Sequence, residues 1–324
     1  MRHLVAVLVV LAGLACVAAV TAPAASGQAC VGPALCQPGD ITSADLGVDP
    51  TTGEVTVVFE RDGYLHARRF DASERLLGAW SAQIFQASSA VAVNGRTREV
   101  YDTSVARGAV NVTRYRADGF KLETWDTGFT GYVSDIEADP WSSELILART
   151  FGSDVQLITL SRDGALLASW LTGYHEPAAA VALTTDRRYY LGVGAAEGPG
   201  GRVARYDDLG TRTAEWAVDE RPVALALGPD NNLFVATRTE AAHRGSVIVL
   251  SDFGTVRDTW PLGARPVDIE VTPDGNVYVL LLRAYGRALQ VVRLSPGGQR
   301  TAAWMAWMQL QLPAVRQTLP TALP

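Results

Sequence analysis

The chain has 324 residues, 48% of them hydrophobic, 19% charged and 8% aromatic, a composition that excludes a disordered or collagen-like protein. With 28 basic against 34 acidic residues the net charge is −6, which speaks against a general polyanion binder. Lys121 is the sole lysine, so the use of Arg over Lys at any one position carries little information.

The first expected element is a leader. Met1-Arg2-His3 supplies positive charge, Leu4 to Val20 is almost wholly apolar, and Ala22-Pro23-Ala24 offers the small residues a signal peptidase needs. Residues 1–29 therefore read as a secretory signal peptide, with an uncleaved membrane anchor as the alternative. Cleavage would place the chain outside the cytoplasm, secreted or in the periplasm and cell envelope, and would remove Cys16. Cys30 and Cys36 then remain as an even pair, and a disulfide between them is expected in the N-terminal segment 30–40. So short a loop would pin that segment to the domain rather than hold the fold together.

From residue 41 the chain repeats. Trp80, Trp125, Trp170, Trp216, Trp260 and Trp304 are separated by 45, 45, 46, 44 and 44 residues. A glycine stands six residues before the tryptophan in five repeats (Gly119, Gly164, Gly210, Gly254, Gly298), with Glu74 in the first. Ten residues before each tryptophan stands Phe70, Tyr115, Leu160, Tyr206, Leu250 or Leu294. Within a repeat, alternating β-branched runs flank turn residues. Val267 to Val271, then Pro273-Asp274-Gly275-Asn276, then Val277 to Leu280 reads as a hairpin, and Leu289 to Leu294, Ser295-Pro296-Gly297-Gly298 and a run ending at Trp304 complete four strands. Four antiparallel strands repeated six times predict an all-β, six-bladed β-propeller over 41–304, since each sheet has two apolar faces that only neighbouring blades can cover. The expected blades run from Ile41 to Trp80, Gln86 to Trp125, Gly131 to Trp170, Glu176 to Trp216, Glu220 to Trp260 and Ala264 to Trp304. The tryptophan is expected to cover the seam between blades, and the glycine to occupy a turn position of positive φ. The tail 305–324 either extends the last outer strand or helps clasp the ring.

The repeats resemble those of NHL-type six-bladed propellers, best in Val223 to Leu227 before Gly228-Pro229-Asp230-Asn231-Asn232, then Leu233 to Ala236 and Val247 to Leu250 before Phe253-Gly254. They are more loosely similar to the senescence-marker/gluconolactonase group and to surface-layer-like exported bacterial propellers. The resemblance specifies blades rather than an activity. It implies a binding face at the channel mouth built from the outer-to-inner and second-to-third strand loops, with Tyr174, His175, Arg221, Arg244, Arg265, Arg283 and Tyr285 as candidate binding residues. Aromatic and arginine side chains suit interface anchors.

Near the start of the inner strands, Asp45, Asp135 and Asp268 recur, with Glu137 and Glu270 two places after the latter two. Alternation puts each Asp and its following Glu on one side, so these five carboxylates are the candidate metal ligands, for Ca²⁺ or another divalent ion. The competing reading is that the aspartates accept backbone hydrogen bonds from a neighbouring blade or bind channel water. Beyond the leader only His66, His175 and His243 occur, scattered over three blades, and no nucleophile, Walker or dinucleotide motif is present. The expected function is an exported, non-catalytic scaffold that needs no cofactor and binds a protein, peptide or carbohydrate, without nucleic acid. The alternatives are a metal-dependent lactonase-like hydrolase or lyase using the channel carboxylates, and a structural envelope protein.

Overall fold

The structure is a computed structural model, which describes residues 40–84, 86, 88–176, 178–184, 186–194, 200–239, 244–283 and 286–308. Among these residues, twenty-four strands form six sheets of four, each built from consecutive strands in the order inner, second, third, outer, with every neighbour antiparallel. The inner strands Ile41–Val48, Ser88–Val93, Tyr132–Ala138, Ala178–Leu183, Arg221–Leu227 and Arg265–Val271 stand around a central channel, each beside the next and the last beside the first. The chain is a six-bladed β-propeller. Among the described residues no helix is long and apolar enough to cross a membrane. The expected leader and the Cys30–Cys36 disulfide lie outside the described residues.

The 45-residue clock has a packing cause. Each third-to-outer hairpin closes through a turn whose fourth residue takes positive φ, as at Gly254 (φ 77), whose N–H donates to the Ser251 carbonyl at 2.8 Å. That glycine lies on the indole of the preceding blade. A Cβ added at Gly119, Gly164, Gly210, Gly254 or Gly298 would stand 2.7, 2.6, 2.5, 1.7 or 2.4 Å from Trp80, Trp125, Trp170, Trp216 or Trp260. The residue ten places before a tryptophan serves the same seam: Tyr115 stacks on Trp80 with centroids 6.0 Å apart, Tyr206 meets Trp170 at 6.4 Å, and Phe70 meets Trp304 at 6.1 Å across the ring closure. Glu74 replaces glycine where the first blade meets the last, keeps φ at 68, and pairs with Arg293 of blade 6 at 3.6 Å.

Among the described residues, closure involves no exchange of strands. The last outer strand, Arg300–Met308, runs past Trp304, and Trp307 packs on Phe59 of blade 1 at 5.4 Å with the Arg61 guanidinium 4.5 Å from its ring. Residues 309–324 lie outside the described residues. Five of the six outer strands likewise continue two to five residues beyond their tryptophan, and the blade 3 strand continues one, to Leu171.

Candidate functional site in the central channel

Every inner strand carries a bulge, between Ala178 and Ala180 or between Pro266 and Asp268 for example. An extra residue opposite one partner re-aims the side chains that follow. The three recurring aspartates use this to tie blade to blade. Asp45 Oδ2 accepts the Val93 N–H at 2.7 Å, Asp135 Oδ2 accepts the Val181 N–H at 2.7 Å, and Asp268 Oδ2 accepts the Leu46 N–H at 2.8 Å. Each bond satisfies a backbone donor of the next inner strand, and the last one closes the ring. Burial pushes all three carboxyls up, most strongly Asp45 and Asp135, and Asp268 beside Asp45 raises Asp45 further.

Glu137 and Glu270 do different work. They stand on blades 3 and 6, opposite one another in a ring of six, and among the described residues neither bonds to another blade. Burial raises Glu137 well above the usual range, with Glu270, Asp268 and Asp135 adding to it; burial and then Asp268 push Glu270 up to about 8. Both form the floor of a funnel of about 430 Å³ that opens on the face of the inner-to-second strand turns. Small side chains, Ala182 and Ala226, leave the floor open, while Pro50, Pro140, Pro229 and Pro273 stiffen the mouth. Asp139 holds its turn by accepting the Trp141 and Ser142 N–H groups at 2.6 and 2.9 Å, and Asn94 Nδ2 donates to the Asp139 carbonyl at 2.7 Å from the neighbouring blade. Trp141 is thereby presented at the mouth, 52% exposed, with the Arg96 guanidinium 4.8 Å from its ring. Arg188 on the wall is bound to Asp186, Asp252 and Asn231, at 2.9, 3.2 and 3.1 Å, so its charge is already matched.

Those candidate binding residues chosen from the loops that the structure describes belong to the opposite end of the channel. Arg221, Arg244 and Arg265 begin strands there and Arg283 ends one; Arg221 lies directly across from Arg238, and Arg283 Nε donates to Gln290 at 2.5 Å. His175 is exposed, with Nδ1 3.1 Å from Asp154. Tyr174 is only 3% exposed: its ring belongs to the core between blades 3 and 4, and its hydroxyl donates to Glu215 at 2.6 Å, so it supports the seam instead of lining the mouth. Tyr285 and His243 lie outside the described residues. Sequence reading missed Arg149 on this face, 8% exposed and held between Phe129 and Phe151 at 5.1 Å from each ring, because Leu145–Phe151 reads simply as a strand. Trp141 was missed for a similar reason, since Asp-Pro-Trp reads only as a turn.

Among the described residues no three His, Cys, Asp or Glu groups are arranged to hold a metal ion. The five carboxylates share one channel, but three of them spend an oxygen on inter-blade bonds, the use foreseen in the competing reading.

No family model matches the chain, and no curated protein does. Many solved structures are similar in fold. A Bacteroides caccae protein of unknown function shares 12% identity with a TM-score of 0.57 over 77% of this chain and 93% of that one. Kuenenia stuttgartiensis hydrazine synthase gives 14% and 0.53 over 79% and 76%, and U3-55K gives 11% and 0.55 over 83% and 82%. At these identities the likeness is one of fold alone.

Proposed function

We propose that this chain is an exported, non-catalytic binding propeller that receives a cationic side chain of a protein or peptide partner in the acidic funnel of its channel. The observation that carries this reading is the pair Glu137 and Glu270, opposed across the floor of an open funnel and free of the inter-blade bonds that occupy the aspartates. Two carboxyls driven toward protonation by burial and by neighbouring channel carboxylates are stabilised by any cation that enters between them. An ammonium or guanidinium fits that demand, and Trp141 with the proline-rich rim offers the apolar contact that anchors the rest of a peptide.

The test is selection of binders from a displayed random peptide library on the purified domain, repeated with the E137Q/E270Q double variant. Enriched peptides should share a Lys or Arg at a fixed position and lose at least tenfold in affinity for the variant, roughly the worth of a charge-assisted hydrogen bond. Enriched peptides without a cation, or binding that the variant leaves intact, would overturn the reading.

A further inference from the structure

The seam between blades 1 and 2 departs from the other five at one position. In the middle of the second strand the side chain turned toward the preceding blade is Val57, Leu147, Leu191, Val235 or Val279, each 0% exposed. In blade 2 it is Asp102, on the strand Val100–Ala106, and it too is buried, at 3% exposed. The register places Thr113 beside Asp102 and Thr124 beyond that, their hydroxyls 3.0 Å apart, where blade 3 has Ile158 beside Leu147. Ser88 links two buried carboxylates: its hydroxyl donates to Asp102 and its N–H donates to Glu60 Oε2 of blade 1 at 3.0 Å.

A buried carboxylate to which, among the described residues, no cation is bonded costs stability that the aliphatic residues of the other blades avoid. Beside it the seam opens into a cavity of about 340 Å³, lined among others by Gln83, Asn111, Thr113, Thr124 and Lys121. The chain's only lysine is thus at the exposed outer edge of the same cavity, near enough for its charge to favour ionised Asp102. One anion at depth, one cation at the edge and amide and hydroxyl groups between them form a dipolar site of small-molecule size.

We propose that this seam binds a free α-amino acid or a molecule of similar size and zwitterionic character, its ammonium on Asp102 and its carboxylate on Lys121. Burial, with Glu60 adding to it, holds the Asp102 carboxyl at about 7. The other groups turned toward it are Tyr115, which burial and Asp102 keep neutral with its hydroxyl pushed up to about 12, and Lys121. An ammonium bonds to the ionised carboxylate, so affinity rises as pH passes through 7 and binding below that pH releases a proton.

The experiment is thermal melting of the folded domain at pH 8, and again at pH 6, with millimolar free L-α-amino acids as probes. Their N-acetyl derivatives, their amides, glucose and inositol are the comparators. At least one amino acid should raise the melting temperature at pH 8, and do so about tenfold less potently at pH 6. Its N-acetyl form and both polyols should have no effect. D102L should melt above the wild type without ligand and D102N should retain the fold, and neither should respond to the amino acid. K121Q should bring the amino acid down to the potency of its amide. The proposal is overturned if no amino acid shifts the melting curve, if the polyols or acetylated probes match it, or if D102N still responds.

Discussion

Replacing Gly254 by alanine separates two costs that the repeat imposes on one residue. The backbone there has φ of 77, a conformation that costs an alanine about 1 kcal/mol. The new methyl would also stand 1.7 Å from the Trp216 indole, so the ring and the seam beneath it must shift, adding about 2 kcal/mol of overpacking. The matching control is Gly63→Ala, where φ is 76 and nothing lies within 4 Å of the added atom, so only the backbone cost applies. For a domain of this size about 3 kcal/mol lowers the melting temperature by about 6 to 12 °C, against about 2 to 4 °C for the control. Calorimetry or denaturant unfolding of both variants reads the difference. In a Trp216→Leu background the excess cost of Gly254→Ala should largely vanish, as a double-mutant cycle requires when two residues share a contact. Equal losses at Gly254 and Gly63, or an excess that survives removal of the indole, would refute the claim that the glycine is set by the preceding blade's tryptophan.

Trp307→Ala should cost about 3 kcal/mol in urea unfolding, because the side chain is 8% exposed and joins blade 6 to Phe59 and Arg61 of blade 1; a loss below about 1 kcal/mol would mean that closure rests elsewhere. Glu270→Gln tests the channel electrostatics. A carboxyl raised from 4.5 to about 8 on folding favours the folded state fully below pH 4.5 and loses that contribution as pH rises through 8. The variant should therefore gain on the wild type between pH 5 and 8.5, by about 4 kcal/mol from the shift alone and about half that once solvent in the funnel is allowed for. Parallel stability curves for the two proteins over that range would contradict the assignment.

The blade count was legible because the feature that repeats is itself a contact: the spacing of the tryptophans, the glycine six places before and the ring ten places before all meet at one seam. The channel was legible as a set of carboxylates but not as a division of labour. Strict alternation puts Asp135 and Glu137 in equivalent roles, and it is the inner-strand bulges and the reach to Val181 that give the aspartate a structural bond and leave the glutamate at the funnel floor. Loop position misled for Tyr174, because an aromatic ring in a connection can fold back into a seam when its hydroxyl finds a partner such as Glu215. Asp102 escaped notice since an aspartate in a strand of mixed polarity reads as facing solvent; only the register with Thr113 and the apolar residues at the same place in five other blades show that it faces a neighbouring sheet.

The most direct measurement of the central claim is calorimetric titration of a selected cationic peptide into the wild-type domain and into the E137Q/E270Q double variant, at pH 7 in two buffers of different ionisation enthalpy. Because both glutamates are held toward protonation in the free protein, entry of a cation between them should ionise them, and the apparent heat should differ between buffers by an amount that reports proton release. The double variant should bind at least tenfold more weakly and show no buffer dependence. Equal heats in the two buffers together with unchanged affinity for the variant would show that the partner does not use the acidic floor of the channel.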